Sequence, residues 1–109
     1  VKIAITTMDE RASTDVQLAC LGIESCVDAL VCADDGVEAK PAPDMVWAVC
    51  RMTGVAPAQA AVVGDAIADL EMGRSAGAGL VIGVLSGISP IEMLAPHADL
   101  VLRSVAELI

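Results

Sequence analysis

Phenylalanine and tyrosine are absent from this 109-residue chain and Trp47 is its single aromatic, so no core can be built on stacked rings. Apolar residues still make up 56% of the sequence. The interior is therefore left to Ala, Val, Leu, Ile and Met, small aliphatic side chains that suit closely stacked layers of helix and parallel sheet. Basic residues are scarce: six Lys and Arg against fifteen Asp and Glu give a formal charge of -9. That balance argues against nucleic acid as a partner, because such affinity comes from neutralising phosphates. His97 is the only histidine, read as a surface residue after Pro96, and Cys20, Cys26, Cys32 and Cys50 form no C-x-x-C pair. The cysteines are expected to be small buried hydrophobes in a reducing, cytoplasmic setting rather than zinc ligands or disulfides.

A long uninterrupted apolar run is missing as well. Ser75 to Ile91 carries no charge, but Gly77, Gly79, Gly83, Gly87 and Pro90 break it into helix end, short strand and loop, so no membrane association is expected. No basic segment followed by an apolar one opens the chain, and no secretory signal is read. The chain starts at Val1 with a strand-like pattern at once, as a fragment or trimmed chain would. Its length fits one domain, 1–109, without a linker, large enough to bury roughly two thirds of its unfolded surface.

What is present is a steady alternation of strand and helix patterns. Strands are expected at Ile3 to Thr6, Ala29 to Cys32, Ala61 to Val63, Leu80 to Val84 and Leu100 to Leu102. Between them, a helix capped by Ser13 runs to Leu21 and stops at Gly22. Another runs from Asp44 to Met52 behind Pro43 and is closed by Gly54, and a third runs from Ile67 to Ala76 before Gly77. Pro90 to Leu94 reads as a short fourth helix. Such alternation implies an α/β fold, an open parallel sheet with right-handed crossovers and helices on both faces. Ligands bind such sheets beyond the carboxyl ends of the strands, where Thr6, Asp34, Asp35 and Asp65 fall.

The densest chemistry is Gly64-Asp65-Ala66-Ile67-Ala68-Asp69, two carboxylates four residues apart where a buried strand becomes a helix. Both can approach one point near the positive helix end, and oxygen-only ligation of that kind suits Mg²⁺. The plainer alternative makes Asp65 a helix N-cap and Asp69 a solvated first-turn acid. Thr6 can offer its hydroxyl to a phosphoryl oxygen, with the Thr7 backbone N–H as a second donor, though a threonine at a strand end is commonplace. Lys40, held extended by Pro41, can aim its ammonium at an anion or simply be a solvated loop residue.

Taken in order, Ile5-Thr6-Thr7, Lys40-Pro41-Ala42-Pro43-Asp44 and Val63-Gly64-Asp65 with Asp69, followed by Gly73-Arg74-Ser75-Ala76-Gly77, resemble the haloacid dehalogenase superfamily. The spacing is most similar to its phosphoglycolate phosphatase and β-phosphoglucomutase branch, over nearly the whole chain from Lys2 to Ile109. The resemblance implies a Rossmann-like core, Mg²⁺, a small phosphorylated metabolite as substrate and an aspartyl-phosphate intermediate. It assigns Thr6 to the phosphoryl group, Lys40 to the nucleophile and phosphoryl charge, Asp65 to the metal and Asp69 to the metal site, directly or through water.

The chain departs from that family in lacking its first strand, with the motif D-x-D that supplies nucleophile and general acid, and in lacking a cap domain. It resembles the carboxyl-terminal half of the core, so the 109 residues alone are expected to be inactive. In the family the missing strand lies between the strands ending at Thr6 and Asp65. Unpaired ladder groups cost roughly 1 to 3 kcal/mol each when buried, so the chain is not expected to keep a vacant slot. Three outcomes are open instead: the flanking strands pair directly, a second chain donates or swaps a strand, or the chain is the proteolysed remainder of a larger one. For the isolated chain, self-association through the sheet edge is expected. An inactive phosphate- or Mg²⁺-binding module, or an interaction surface on the same fold, is the alternative function. A response-regulator receiver domain is disfavoured because there the acidic pair comes early and the lysine last.

Overall fold

The computed structural model describes residues 1–87 and 89–108. Ile88 and Ile109, part of the expected 1–109 domain, lie outside the described residues. Among the described residues five strands, β1 (Ala4–Thr6), β2 (Ala29–Val31), β3 (Ala61–Gly64), β4 (Leu80–Val84) and β5 (Leu100–Leu102), alternate with α1 (Arg11–Leu21), α2 (Asp44–Thr53), α3 (Ile67–Ala76) and α4 (Ile91–Leu94). Every observed strand pair is parallel: Ile5 stands beside Leu30, Val62 beside Val81 and Gly83 beside Val101.

The helices follow from local chemistry with one exception. Helix α3 ends where Gly77 takes the left-handed conformation, φ 81°, its N–H donating to the Arg74 carbonyl at 3.1 Å and the Ala78 N–H to the Gly73 carbonyl at 3.0 Å. Helix α1 begins at Arg11 rather than behind Ser13, which lies within its first turn. A distant residue supports the earlier start, since Asp34 Oδ1 accepts the Arg11 N–H at 2.9 Å, satisfying a first-turn donor that a local cap would otherwise take.

Two apolar clusters hold the layers together. Val31, Met45, Val46, Ala48, Cys50, Met72 and Ala76 join α2, α3 and β2, with Val62 against them. On the other side, Leu70, Val81 and Leu94 are fully buried and join α3, β4 and α4. Helix α3 thus serves both clusters, which fixes its first turn and the acids around it. Only two of the four cysteines are buried: Cys32 and Cys50 are inside, Cys20 and Cys26 outside, and all four are free thiols. Desolvation pushes the Cys50 thiol pKa up.

The strands form two sheets, β1-β2 and β3-β4-β5, with no ladder between β1 and β3. The break falls where the family's missing strand would lie. The flanking strands have not closed up, contrary to the expectation that a vacant slot would be lost. That expectation assumed buried edges. Here Ala4 of β1 and Ala61 and Val63 of β3 are exposed, so water can satisfy the edge groups and the burial penalty is not incurred.

Candidate functional site

Lys40 joins the two sheets at their carboxyl ends. From the loop between β2 and α2, its Nζ donates to Asp69 Oδ1 at 2.7 Å and to the Thr6 carbonyl at 3.3 Å. The Lys40 and Asp69 side chains are only 15% and 13% exposed, so this pair sits in a lower dielectric than a surface ion pair. Asp69 Oδ2 accepts the Ala66 N–H at 3.2 Å, placing the carboxylate at the favourable, positive end of α3. Gly64 makes room for it: a Cβ there would lie 2.6 Å from Asp69 Cγ.

Thr6, Lys40 and Asp69 are therefore brought together, with Thr6 meeting the ammonium through its carbonyl. Asp65 follows β3 directly, is exposed, and stands outside the Lys40–Asp69 pair. The Thr7 N–H, expected to face an anion, instead donates to the Val31 carbonyl at 3.0 Å, extending the β1–β2 ladder by one residue. The Thr7 hydroxyl accepts the Asp9 N–H at 3.1 Å and shapes the following turn.

Asp34 and Asp35, also expected at a strand end, act as scaffold. The Arg11 guanidinium grips Asp35 through Nε at 3.2 Å and Nη2 at 2.6 Å, and Nη2 also reaches the Leu30 carbonyl at 2.9 Å. The Cys32 N–H donates to the same carboxylate at 2.8 Å. Hydrogen bonds from Arg11 and then Cys32 lower the Asp35 pKa, and the Asp35 hydrogen bond raises that of Arg11. The clamp ties the loops leaving β1 and β2 together. Nothing in the local sequence marks Arg11 for it, because its partner lies 24 residues away.

The donor chemistry fits half of a Mg²⁺ site. No group of three or more His, Cys, Asp or Glu that could hold a metal occurs among the described residues. Mg²⁺ needs no such cage, since it keeps several waters and takes one or two carboxylates. Asp65 is available for that; Asp69 already holds Lys40 and the Ala66 N–H. Beside the pair, a cleft of about 650 Å³ is lined by Glu38, Lys40, Glu71, Arg74, Ser75 and His97. His97 is half-buried along it, and its carbonyl accepts Arg74 Nε at 3.3 Å. No helix among the described residues is long and apolar enough to cross a membrane.

Residues 1–77 match the family model of the haloacid dehalogenase-like hydrolases. The chain belongs to this family. Among curated haloacid dehalogenase-like relatives, the human N-acylneuraminate-9-phosphatase is 28% identical over 110 residues, covering 99% of this chain and 44% of that protein. Fructose-1-phosphate phosphatase YqaB of Escherichia coli is 37% identical over 75 residues, 69% of this chain and 40% of that protein. Among solved structures, a haloacid dehalogenase-like hydrolase of Bacteroides fragilis superposes with a TM-score of 0.92 at 20% identity, over 100% of this chain and 52% of that one. This likeness speaks to fold alone. The chain thus spans about half the length of the relatives it matches, and the division between β1 and β3 leaves its fold superposable on longer proteins.

Proposed function

We propose that these residues are the carboxyl-terminal part of the core of a Mg²⁺-dependent phosphatase that hydrolyses small phosphomonoesters. The observation that carries the reading is the Lys40 ammonium held between the Thr6 carbonyl and the Asp69 carboxylate, with Asp65 at the adjoining strand end. Relatives named for N-acylneuraminate 9-phosphate and fructose 1-phosphate favour a small phosphorylated metabolite as substrate. Four unpaired thiols favour a reducing, cytoplasmic setting.

In this reading the Thr6 hydroxyl donates to a phosphoryl oxygen and the Lys40 ammonium offsets developing negative charge. Asp69 keeps Lys40 aimed, and Asp65 would hold the cation. Bound Mg²⁺ supplies charge neutralisation at the phosphoryl oxygens. The attacking group is a carboxylate from outside these residues, on a strand filling the slot between β1 and β3. Its oxygen bonds to phosphorus as the bond to the substrate oxygen breaks, the departing alkoxide taking a proton from a general acid on that same strand. Water then bonds to phosphorus, giving its proton back to that group and releasing inorganic phosphate and the free carboxylate. The test is p-nitrophenyl phosphate hydrolysis by a protein carrying these residues together with that strand. EDTA should abolish turnover and Asp65→Ala should lower it by roughly a hundredfold or more. Unchanged turnover in Asp65→Ala would refute the assignment.

A further inference from the structure

The turn leaving β4 packs against Asp65 at a glycine. A Cβ built on Gly87 would lie 2.6 Å from both Asp65 Cβ and Asp65 Cγ, and closer still to Oδ2. No real Cβ tolerates such contacts, so Gly87 and the Asp65 side chain occupy adjoining space with nothing to spare. The backbone does not itself require glycine here, because Gly87 is not among the glycines of positive φ, which are Gly22, Gly36, Gly54 and Gly77. The requirement comes from the Asp65 side chain, from its Cβ outward. The turn is anchored independently, since the Leu85 N–H donates to the Leu102 carbonyl at 2.9 Å and β4 is paired on both sides. A fixed turn pressed on Asp65 restricts where that side chain can point.

We infer that Gly87 is a positioning residue for Asp65: the bare backbone of the turn after β4 sets the direction of the carboxylate at the end of β3. The inference rests on the proposed function only in giving Asp65 a cation to hold; the steric claim stands without it. Because rotation about χ1 moves Cγ and Oδ2 but not Cβ, a side chain at position 87 would both turn Asp65 into another rotamer and displace the turn after β4 from the end of β3.

The experiment compares the 109-residue chain with Gly87→Ala, Asp65→Gly and the double variant. By NMR, the unaltered chain should show a Gly87 Hα to Asp65 Hβ cross-peak and one dominant Asp65 χ1 rotamer; Gly87→Ala should change the rotamer. Gly87→Ala should also lower the melting temperature, and this loss should shrink by at least half in the Asp65→Gly background, where the obstructing side chain is gone. Mg²⁺ affinity should fall by about tenfold in Gly87→Ala, as when the support of a metal ligand is disturbed. An unchanged Asp65 rotamer in folded Gly87→Ala, or an equal melting loss in both backgrounds, would overturn the inference. If Gly87→Ala does not fold, the double variant decides, because the inference requires Asp65→Gly to restore folding. Absence of Mg²⁺ binding in the unaltered chain would instead count against the proposed function, with the rotamer and melting arms still judging Gly87.

Discussion

Lys40 Nζ lies 2.7 Å from Asp69 Oδ1, and through that contact and the Thr6 carbonyl one side chain bridges the end of β1 and the first turn of α3, across the division of the parallel sheet. Removing the ammonium while keeping apolar bulk, as in Lys40→Met, would leave Asp69 poorly solvated and without a counter-charge. Such a loss costs about 3 kcal/mol, a large share of the roughly 5 to 15 kcal/mol that holds a domain together. Arg74→Met breaks the more exposed pair with Asp99 and should cost clearly less, because solvent screens that pair. Urea unfolding of both variants checks the ranking. Equal losses would show that Lys40 is not a structural bridge.

Much of this arrangement is readable in the sequence wherever the determinant is local. Ile67 and Ala76 bound α3 as expected because Gly77 stops it, and β4 and β5 fall at Leu80–Val84 and Leu100–Leu102 as their apolar runs predict. Local reasoning fails where a partner arrives from elsewhere in the chain. Asp34 supports the first turn of α1, the Val31 carbonyl takes the Thr7 N–H, and Gly87 reaches Asp65 from a turn 22 positions downstream. Nothing in the segments around Lys40 and Asp69 specifies their direct ion pair, which only the packing of the folded chain creates.

Acid should destabilise the chain through two carboxylates. Asp35 is lowered in pKa by hydrogen bonds from Arg11 and then Cys32, and Asp99 by hydrogen bonds from the Val81 N–H and then Arg74. A depressed folded pKa gives stability that is present above the unfolded value, near pH 4, and is lost as pH falls through the folded value. Stability should therefore decline below about pH 4, and Asp35→Asn or Asp99→Asn should flatten that decline. Urea midpoints measured between neutral and acid pH supply the test; unchanged slopes in both variants would contradict it.

The unpaired edges of β1 and β3 should make the isolated chain self-associate, because each exposes a row of ladder groups that another strand can meet. Sedimentation velocity across a concentration series should show a growing dimer fraction. A compact, well-folded monomer at the highest concentration would count against this.

Turnover should be absent from the 109-residue chain, since Thr6, Lys40, Asp65 and Asp69 include no group proposed to attack phosphorus. Purified chain incubated with p-nitrophenyl phosphate and Mg²⁺ should release no more product than buffer. EDTA-sensitive hydrolysis would mean that a nucleophile lies among these residues after all.

The most direct test of the proposed half-site is calorimetric titration of the chain with Mg²⁺ alongside Asp65→Asn, which requires no catalysis. The chain should bind one Mg²⁺, and Asp65→Asn should abolish the heat while leaving the fold intact by circular dichroism. Equal binding by both proteins, or by neither, would contradict the assignment of Asp65 as the cation's ligand.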